Sequence, residues 1–308
     1  MFIQEAPSPG GTSSVQDSPK SPSVAPPGKG FGEFHGRRHT RATNGHATAG
    51  STSGPLWRGR SLAARGARVS VVVPTLNEAA NIPHVFKRMP EDLFEVILVD
   101  GHSSDDTVAI ARAIRPSVRV IMEPRRGKGV ALATGFAAAR GDIIVMLDGD
   151  GSTDPAEIPS FVDALLEGAD VAKGSRFMNG GRSTDITFTR RLGNRALNGA
   201  VNVLFGTSYT DLCYGYNAFW ARCLPALDVD CDGFEVETLI NIRAARRRLR
   251  VVEVPSFERE RLYGETKLRA WRDGRRVLAT IARERLRNSR ARTQEDSQAR
   301  TGEVTATV

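Results

Sequence analysis

The chain has 308 residues, 40% hydrophobic and 25% charged, with a formal net charge of +8. That composition fits a soluble globular protein with a packed core, in one large or two ordinary domains. No apolar run approaches the roughly 20 residues that cross a bilayer, and no basic segment followed by an apolar one marks a secretory signal. The positive balance points to an acidic partner: nucleic acid, anionic lipid or a phosphate-bearing substrate.

Residues 1–66 are rich in Ser, Pro, Gly, Thr and Arg and hold no helical or strand period. Such a segment cannot offset its ordering entropy by burial, so a disordered extension is predicted there, and likewise a disordered tail over 289–308. The folded unit is expected over 67–288. Within it, β-branched or apolar runs predict strands over 69–74, 95–100, 118–123, 143–147 and 170–174. Between them the pattern predicts helices over 79–88, 105–114, 130–140 and 155–167. Ser103 or Ser104 is expected to cap the second helix, and Asp154 the fourth, with Pro155 at its first position. This alternation predicts an α/β fold with a mostly parallel central sheet flanked by helices. The second half is less regular: helices over 188–205, 234–247 and 267–287, strands over 214–220 and 250–257. Cys213, Cys223 and Cys231 match no zinc spacing and read as reduced thiols of a cytosolic protein.

The 143–147 run, IIVML, lacks alternation and suits a strand covered on both faces. It leads directly into Asp148-Gly149-Asp150. Carboxylates spaced this way at the carboxyl end of a parallel strand can converge on a hard cation shared with substrate phosphates, or can form a solvated Asp-Gly turn. Pro74-Thr75-Leu76-Asn77-Glu78 closes the first strand and Asp100 the second. Acidic residues at three strand ends fall on one edge of the sheet, where they repel unless a cation or donor groups collect them. Arg125-Arg126-Gly127-Lys128-Gly129 lacks P-loop spacing. It reads either as an anion-binding start of a helix or as a plain strand-to-helix turn. Asp232, Glu235 and Glu237 open a helix whose dipole favours acids in the first turn; that alone accounts for Glu237, while Asp232 or Glu235 could face an acceptor. The last helix reads either as a basic amphipathic helix on an anionic membrane or as a helix packed on the sheet with a solvated basic face. Its apolar stripe is expected at Leu268, Trp271, Leu278 and Ile281.

Taken in order, P-x-x-N-E at 74–78, Asp100 with Ser103 and Thr107, G-K-G at 127–129, D-x-D at 148–150, G-S-R at 174–176 and R-x-x-G-x-T-K-L at 261–268 resemble the family 2 glycosyltransferases of GT-A fold. Among these the chain is most similar to the dolichyl- and polyprenyl-phosphate mannose or glucose synthases, over about 69–280. The resemblance implies an inverting, metal-dependent hexosyltransferase using Mg²⁺ or Mn²⁺. It would move a hexose from a nucleotide-diphosphate sugar, of GDP-mannose or UDP-glucose type, to a polyprenyl or dolichyl phosphate in cell-envelope glycan synthesis. Carried over, Pro74, Asn77, Glu78 and Asp100 hold the nucleoside, with Lys128 on the donor side. Asp148 and Asp150 hold the metal, Asp150 counting also as catalytic. Arg176 lies near the sugar or acceptor, and Arg261 and Lys267 neutralise phosphate oxygens.

Two departures stand out. Relatives read D-D-G-S where this chain has Asp100-Gly101-His102-Ser103, and often Gln where it has Ser152. The alternatives are transfer to a hydroxyl of a saccharide or secondary metabolite, or non-catalytic binding of nucleotide sugar or anionic membrane. The expected location is cytoplasmic, peripheral at the membrane face, with no nucleic-acid partner, since no stacking aromatics interleave the basic residues.

Overall fold

The computed structural model describes residues 61–265 and 271–287. The predicted alternation is present: β1 (Val69–Thr75), α1 (Ile82–Lys87), β2 (Glu95–Asp100), α2 (Thr107–Ile114), β3 (Arg119–Met122), α3 (Lys128–Ala138), β4 (Ile143–Met146), α4 (Ile158–Leu166) and β5 (Val171–Ser175). There follow β6 (Arg182–Ser183), α5 (Phe188–Phe205), β7 (Asn217–Trp220), α6 (Leu224–Leu227), α7 (Val236–Arg246), β8 (Val251–Pro255), β9 (Phe257–Glu258), and α8 over 271–287.

The main sheet has the order β3-β2-β1-β4-β7-β5-β8. All neighbours run parallel except β7, which lies antiparallel between β4 and β5. The strand expected over 214–220 is therefore shorter, and it reverses direction. The strand expected over 250–257 breaks at Ser256 into β8 and β9, and β9 pairs with β6 in a separate two-stranded ribbon. Every residue of β4 is 0% exposed, as its unbroken apolar run requires when helices cover both faces. One core cluster packs β1 and β4 against α1 and α4; another packs the opposite face against α3 and α7.

Leu62, expected in the disordered extension, packs into the first of these clusters at 2% exposure, so the fold includes residues before 67. Asp154 caps the turn before α4 as predicted, its side chain accepting from the Ala156 amide. Neither Ser103 nor Ser104 caps α2; the carboxylate of Asp105 accepts from the Thr107 amide instead. All three cysteines are free thiols.

α8 packs by one face against α5 and α7. Asp273, Val277, Thr280, Ile281 and Glu284 face inward. Glu284 pairs with Arg243 and Arg246 of α7. Val277 and Ile281 join a third cluster with Val201 of α5 and Ile242 of α7. Of the expected stripe, Ile281 is buried, while Trp271 and Leu278 are 88% and 55% exposed. Leu268 lies outside the described residues. No described helix is long and apolar enough to cross a membrane.

Candidate active site

The carboxyl ends of β1, β2 and β4 open on one cleft of about 1890 Å³, bordered also by α5 and the start of α8. β1 and β2 end in register, Thr75 opposite Asp100. The chain then turns sharply at Asn77, whose φ of 52° is left-handed, a conformation Asn tolerates better than most residues. Its side-chain oxygen accepts from the Ser104 amide at 2.7 Å, and its own amide donates to Ser103 Oγ at 2.8 Å. Ser103 in turn donates through its amide and hydroxyl to Asp100 at 2.7 and 2.6 Å.

Asp100 and Asn77 thus staple the two loops together. Pro74, Asn77 and Glu78 line the cleft. Asp100, assigned to the nucleoside by resemblance, is 0% exposed and lies outside that lining; its oxygens are taken by Ser103 and Thr75. It holds this part of the cleft wall from behind.

Asp148 and Asp150 leave β4 as expected and reach the cleft floor. Each is matched by a cation from a distant part of the chain. Lys128 Nζ lies 2.6 Å from Asp148 Oδ1 and 2.6 Å from Glu237 Oε1. Arg261 places Nη2 2.7 Å from Asp150 Oδ2 and Nη1 3.3 Å from Glu78 Oε1. Of the acidic rim inferred from sequence, Asp148 is held by Lys128, Glu78 and Asp150 share the Arg261 guanidinium, and Asp100 stays apart. Arg261 is delivered by segment 259–265, which is pinned at both ends. Arg259 donates its amide to the Ser152 carbonyl, and the Tyr263 amide donates to Asn81 Oδ1. Lys267 lies outside the described residues.

Burial opposes the charge on Lys128, but Asp148 and Glu237 outweigh it and raise the ammonium's pKa. Burial also raises Glu237, against the pull of Lys128. Sequence reasoning ascribed Glu237 to the helix dipole; only the fold, bringing α7 against α3, makes it part of the site. Gly215 was missed as well. A Cβ there would sit 2.7 Å from Asp148 Oδ2 and 2.9 Å from Lys128 Nζ, so any side chain would push one end of the pair aside.

The 125–129 loop resolves between its two readings. Gly129 and Val130 donate their amides to the Asp232 carbonyl, so these amides at the start of α3 are occupied by backbone. Gly127, at φ 135°, lies so close to Asp232 that no Cβ fits. What this loop contributes to the cleft is side-chain charge, above all Lys128.

Arg176 reaches the cleft wall from the end of β5, yet it is 5% exposed. Its Nε and Nη2 donate to Asp211 at 2.7 and 2.9 Å, and Nη1 donates to both oxygens of Glu258 at 2.9 and 3.0 Å. Burial would disfavour this cation, but Asp211 and Glu258 raise its pKa well past the ordinary value. Committed to two carboxylates, Arg176 braces β5 against the 211 loop and β9 and leaves Arg190 on α5 as a more open cation of the wall, paired with Asp185.

Among the described residues, no cluster of three or more His, Cys, Asp or Glu forms a metal cage. Asp148 and Asp150 nonetheless fit a hard divalent cation that takes its remaining oxygens from a bound diphosphate, as Mg²⁺ commonly does. Both carboxylates already attract cations in the structure.

Comparison with known proteins agrees with this geometry. The model of the family described as Glycosyl transferase family 2 matches residues 70–223. The undecaprenyl-phosphate mannosyltransferase of Micrococcus luteus is 34% identical over 65% of this chain and 87% of its own. The polyprenol monophosphomannose synthase of Mycolicibacterium smegmatis is 33% identical over 65% and 81%. Among solved structures, glucosyl-3-phosphoglycerate synthase of Mycobacterium tuberculosis, in complex with Mn²⁺, UDP and glucosyl-3-phosphoglycerate, superposes with a TM-score of 0.58. It is 28% identical over 71% of this chain and 80% of that one.

Proposed function

The chain belongs to glycosyl transferase family 2 and has its GT-A fold, and from that premise we propose that it transfers a hexose from a nucleotide-diphosphate sugar to a polyprenyl phosphate. The observation that carries this reading is the pairing of Asp148 with Lys128 and of Asp150 with Arg261. Two carboxylates on one rim suit a cation-bound diphosphate, and two cations beside them suit the charge that diphosphate acquires as it leaves.

Pro74, Asn77 and Glu78 bind the nucleoside side of the donor, with Asp100 holding their loop in shape. Asp148 and Asp150 would hold Mg²⁺ or Mn²⁺, which would offset charge on the diphosphate. An acceptor phosphate oxygen attacks the anomeric carbon from the face opposite the diphosphate. The carbon–oxygen bond to the diphosphate breaks, and the nucleoside diphosphate leaves with the electron pair, inverting the anomeric centre. Lys128 and Arg261 stabilise that developing charge electrostatically, and Lys267 is assigned the same task. The acceptor is already an anion, so no strong general base is needed. This agrees with Glu237, the carboxylate beside Asp148, being held by Lys128 rather than free. Arg176 positions the wall on which Arg190 meets the acceptor.

The test supplies the purified chain with radiolabelled nucleotide sugars, Mg²⁺ or Mn²⁺ and polyprenyl phosphate in detergent. Label extracted with the lipid, and lost when a chelator is added, is the expected result. Label only in a water-soluble hydroxyl acceptor, or none with any donor, overturns the reading.

A further inference from the structure

Both oxygens of Asp150 are engaged by other parts of the chain. Oδ1 accepts from the amide and hydroxyl of Ser152 at 3.0 and 2.7 Å. Oδ2 accepts from Arg261 Nη2 at 2.7 Å, while Nη1 of the same guanidinium lies 3.3 Å from Glu78 Oε1. The side chains of Arg261 and Asp150 are each 17% exposed and that of Glu78 7%, so solvent and salt screen this group only weakly. The backbone that delivers Arg261 is fastened two residues before it and two after. The Arg259 amide donates to the Ser152 carbonyl at 2.8 Å, and Tyr263 exchanges two hydrogen bonds with the side chain of Asn81, both 3.1 Å. Between them Leu262 lies against Gly151, in the turn that follows Asp150. Arg261 thus reaches Asp150 as a placed side chain, not as a chance surface pair.

Asp148 is held differently. Its partner Lys128 belongs to α3, is 10% exposed at the side chain and also holds the buried Glu237. A Lys128 that left Asp148 would still be needed by Glu237. Arg261 stands on an irregular segment, and its side chain can turn while Arg259 and Tyr263 keep the backbone in place. Of the two cations at the cleft floor, Arg261 is therefore the one that can change partners.

We infer that Arg261 is the resident counter-ion of Asp150, and that the cleft therefore takes a divalent cation as its complex with a diphosphate in preference to the free ion. A free ion approaching Asp150 meets the like charge of Arg261, and turning that guanidinium out leaves it with Glu78 alone. A diphosphate arriving with the ion supplies phosphate oxygens, which a guanidinium binds in paired fashion. The charge then moves from carboxylate to phosphate without being stranded. Ion and diphosphate each strengthen the other's binding, by the reciprocity that couples any two ligands. The inference rests on the proposed function for its diphosphate and adds the form in which the ion enters.

The experiment reads ion binding, not turnover. The full chain is equilibrated by dialysis against Mn²⁺ alone, and against Mn²⁺ with UDP or with GDP, at matched free-ion concentrations. The apparent affinity for Mn²⁺ retained with the protein is expected to rise at least about tenfold with one of the two nucleotides, within the usual range of coupling between sites. Arg261→Met, with unchanged melting temperature, should bind Mn²⁺ alone about tenfold more tightly than the parent and lose most of the gain from nucleotide. Arg261→Lys keeps the charge and should bind Mn²⁺ alone as weakly as the parent; a purely structural role for Arg261 would not produce that split. Should Arg261→Met fail to fold, the unmodified chain decides. Equal affinity with and without nucleotide, or a folded Arg261→Met no tighter than the parent, overturns the inference and leaves the assigned transfer standing. Mn²⁺ retained under no condition overturns it together with the metal assignment.

Discussion

Lys128 Nζ stands 2.6 Å from Glu237 Oε1, joining the start of α3 to α7 beneath the cleft floor. The same ammonium holds Asp148, so one buried cation fixes two carboxylates. Lys128→Ala leaves both without their partner, Glu237 in a buried setting. A loss of about 3–5 kcal/mol in unfolding free energy is expected, measured by urea denaturation. Glu237→Gln removes only one charge and should cost less. If Glu237 were an essential base, that variant would be inactive; we expect it to retain measurable transfer to a phosphate acceptor.

Asp150→Ala removes a carboxylate assigned to the metal in the proposed function and releases Arg261 from one of its two anchors. Transfer should fall by at least about 10²-fold, the scale of losing one preorganised electrostatic group. Steady-state kinetics against divalent-ion concentration checks this: the variant should not be rescued by excess Mn²⁺.

Gly215→Ala tests geometry with little change in chemistry. The added methyl must displace Asp148 or Lys128, both under 3 Å from its position. A stability cost of about 1–3 kcal/mol is expected from overpacking. The rate cost should be larger, of order 10²-fold, because small misplacements of reacting groups are costly. Comparing melting temperature with kcat separates the two.

Arg176→Met strands Asp211 and Glu258 in a buried setting and should cost about 3–5 kcal/mol. Arg176→Lys keeps a charge but cannot donate to both carboxylates in paired fashion, and should recover only part of the loss. Chemical denaturation of the two variants provides the check. A direct role on the substrate would instead appear as a rate defect with stability unchanged.

Acid should unfold the protein through carboxylates such as Asp154. Burial pushes Asp154 upward, but Arg88, the Ala156 amide and Arg259 prevail and hold it below its ordinary value of 3.8. A depressed acid contributes stability that is present above the unfolded value and is lost as pH falls through the folded one. The slope of stability against pH below about 4 should therefore be shallower in Asp154→Asn than in the parent. Thermal melts across that range measure it.

The parallel half of the sheet was legible in the sequence because continuous apolar runs between helical periods leave few other arrangements. β4 announced both its burial and the two aspartates at its end. The reversal of β7 was not legible, because the composition of a buried strand carries no direction; its sense depends on where the preceding loop crosses the sheet. Asp100 looked like a ligand residue, since an acid at a strand end reads the same whether it faces a substrate or a serine three residues on. Glu237 looked like a dipole-stabilising acid until Lys128, distant in sequence, was brought against it. In α8 the spacing predicted amphipathic character but joined Trp271 and Leu278 to Ile281 in one stripe, because apolar residues lie on both sides of that helix.

The reversed strand also sets an order of assembly. As the chain leaves the ribosome, β1 to β4 can pair at once, but the outer edge of β4 has no partner until Asn217–Trp220 has emerged. During that interval Ile143–Met146 presents an apolar strand edge open to the wrong neighbour. Mutations that delay β7 should then lower the yield of folded protein before they alter the finished molecule.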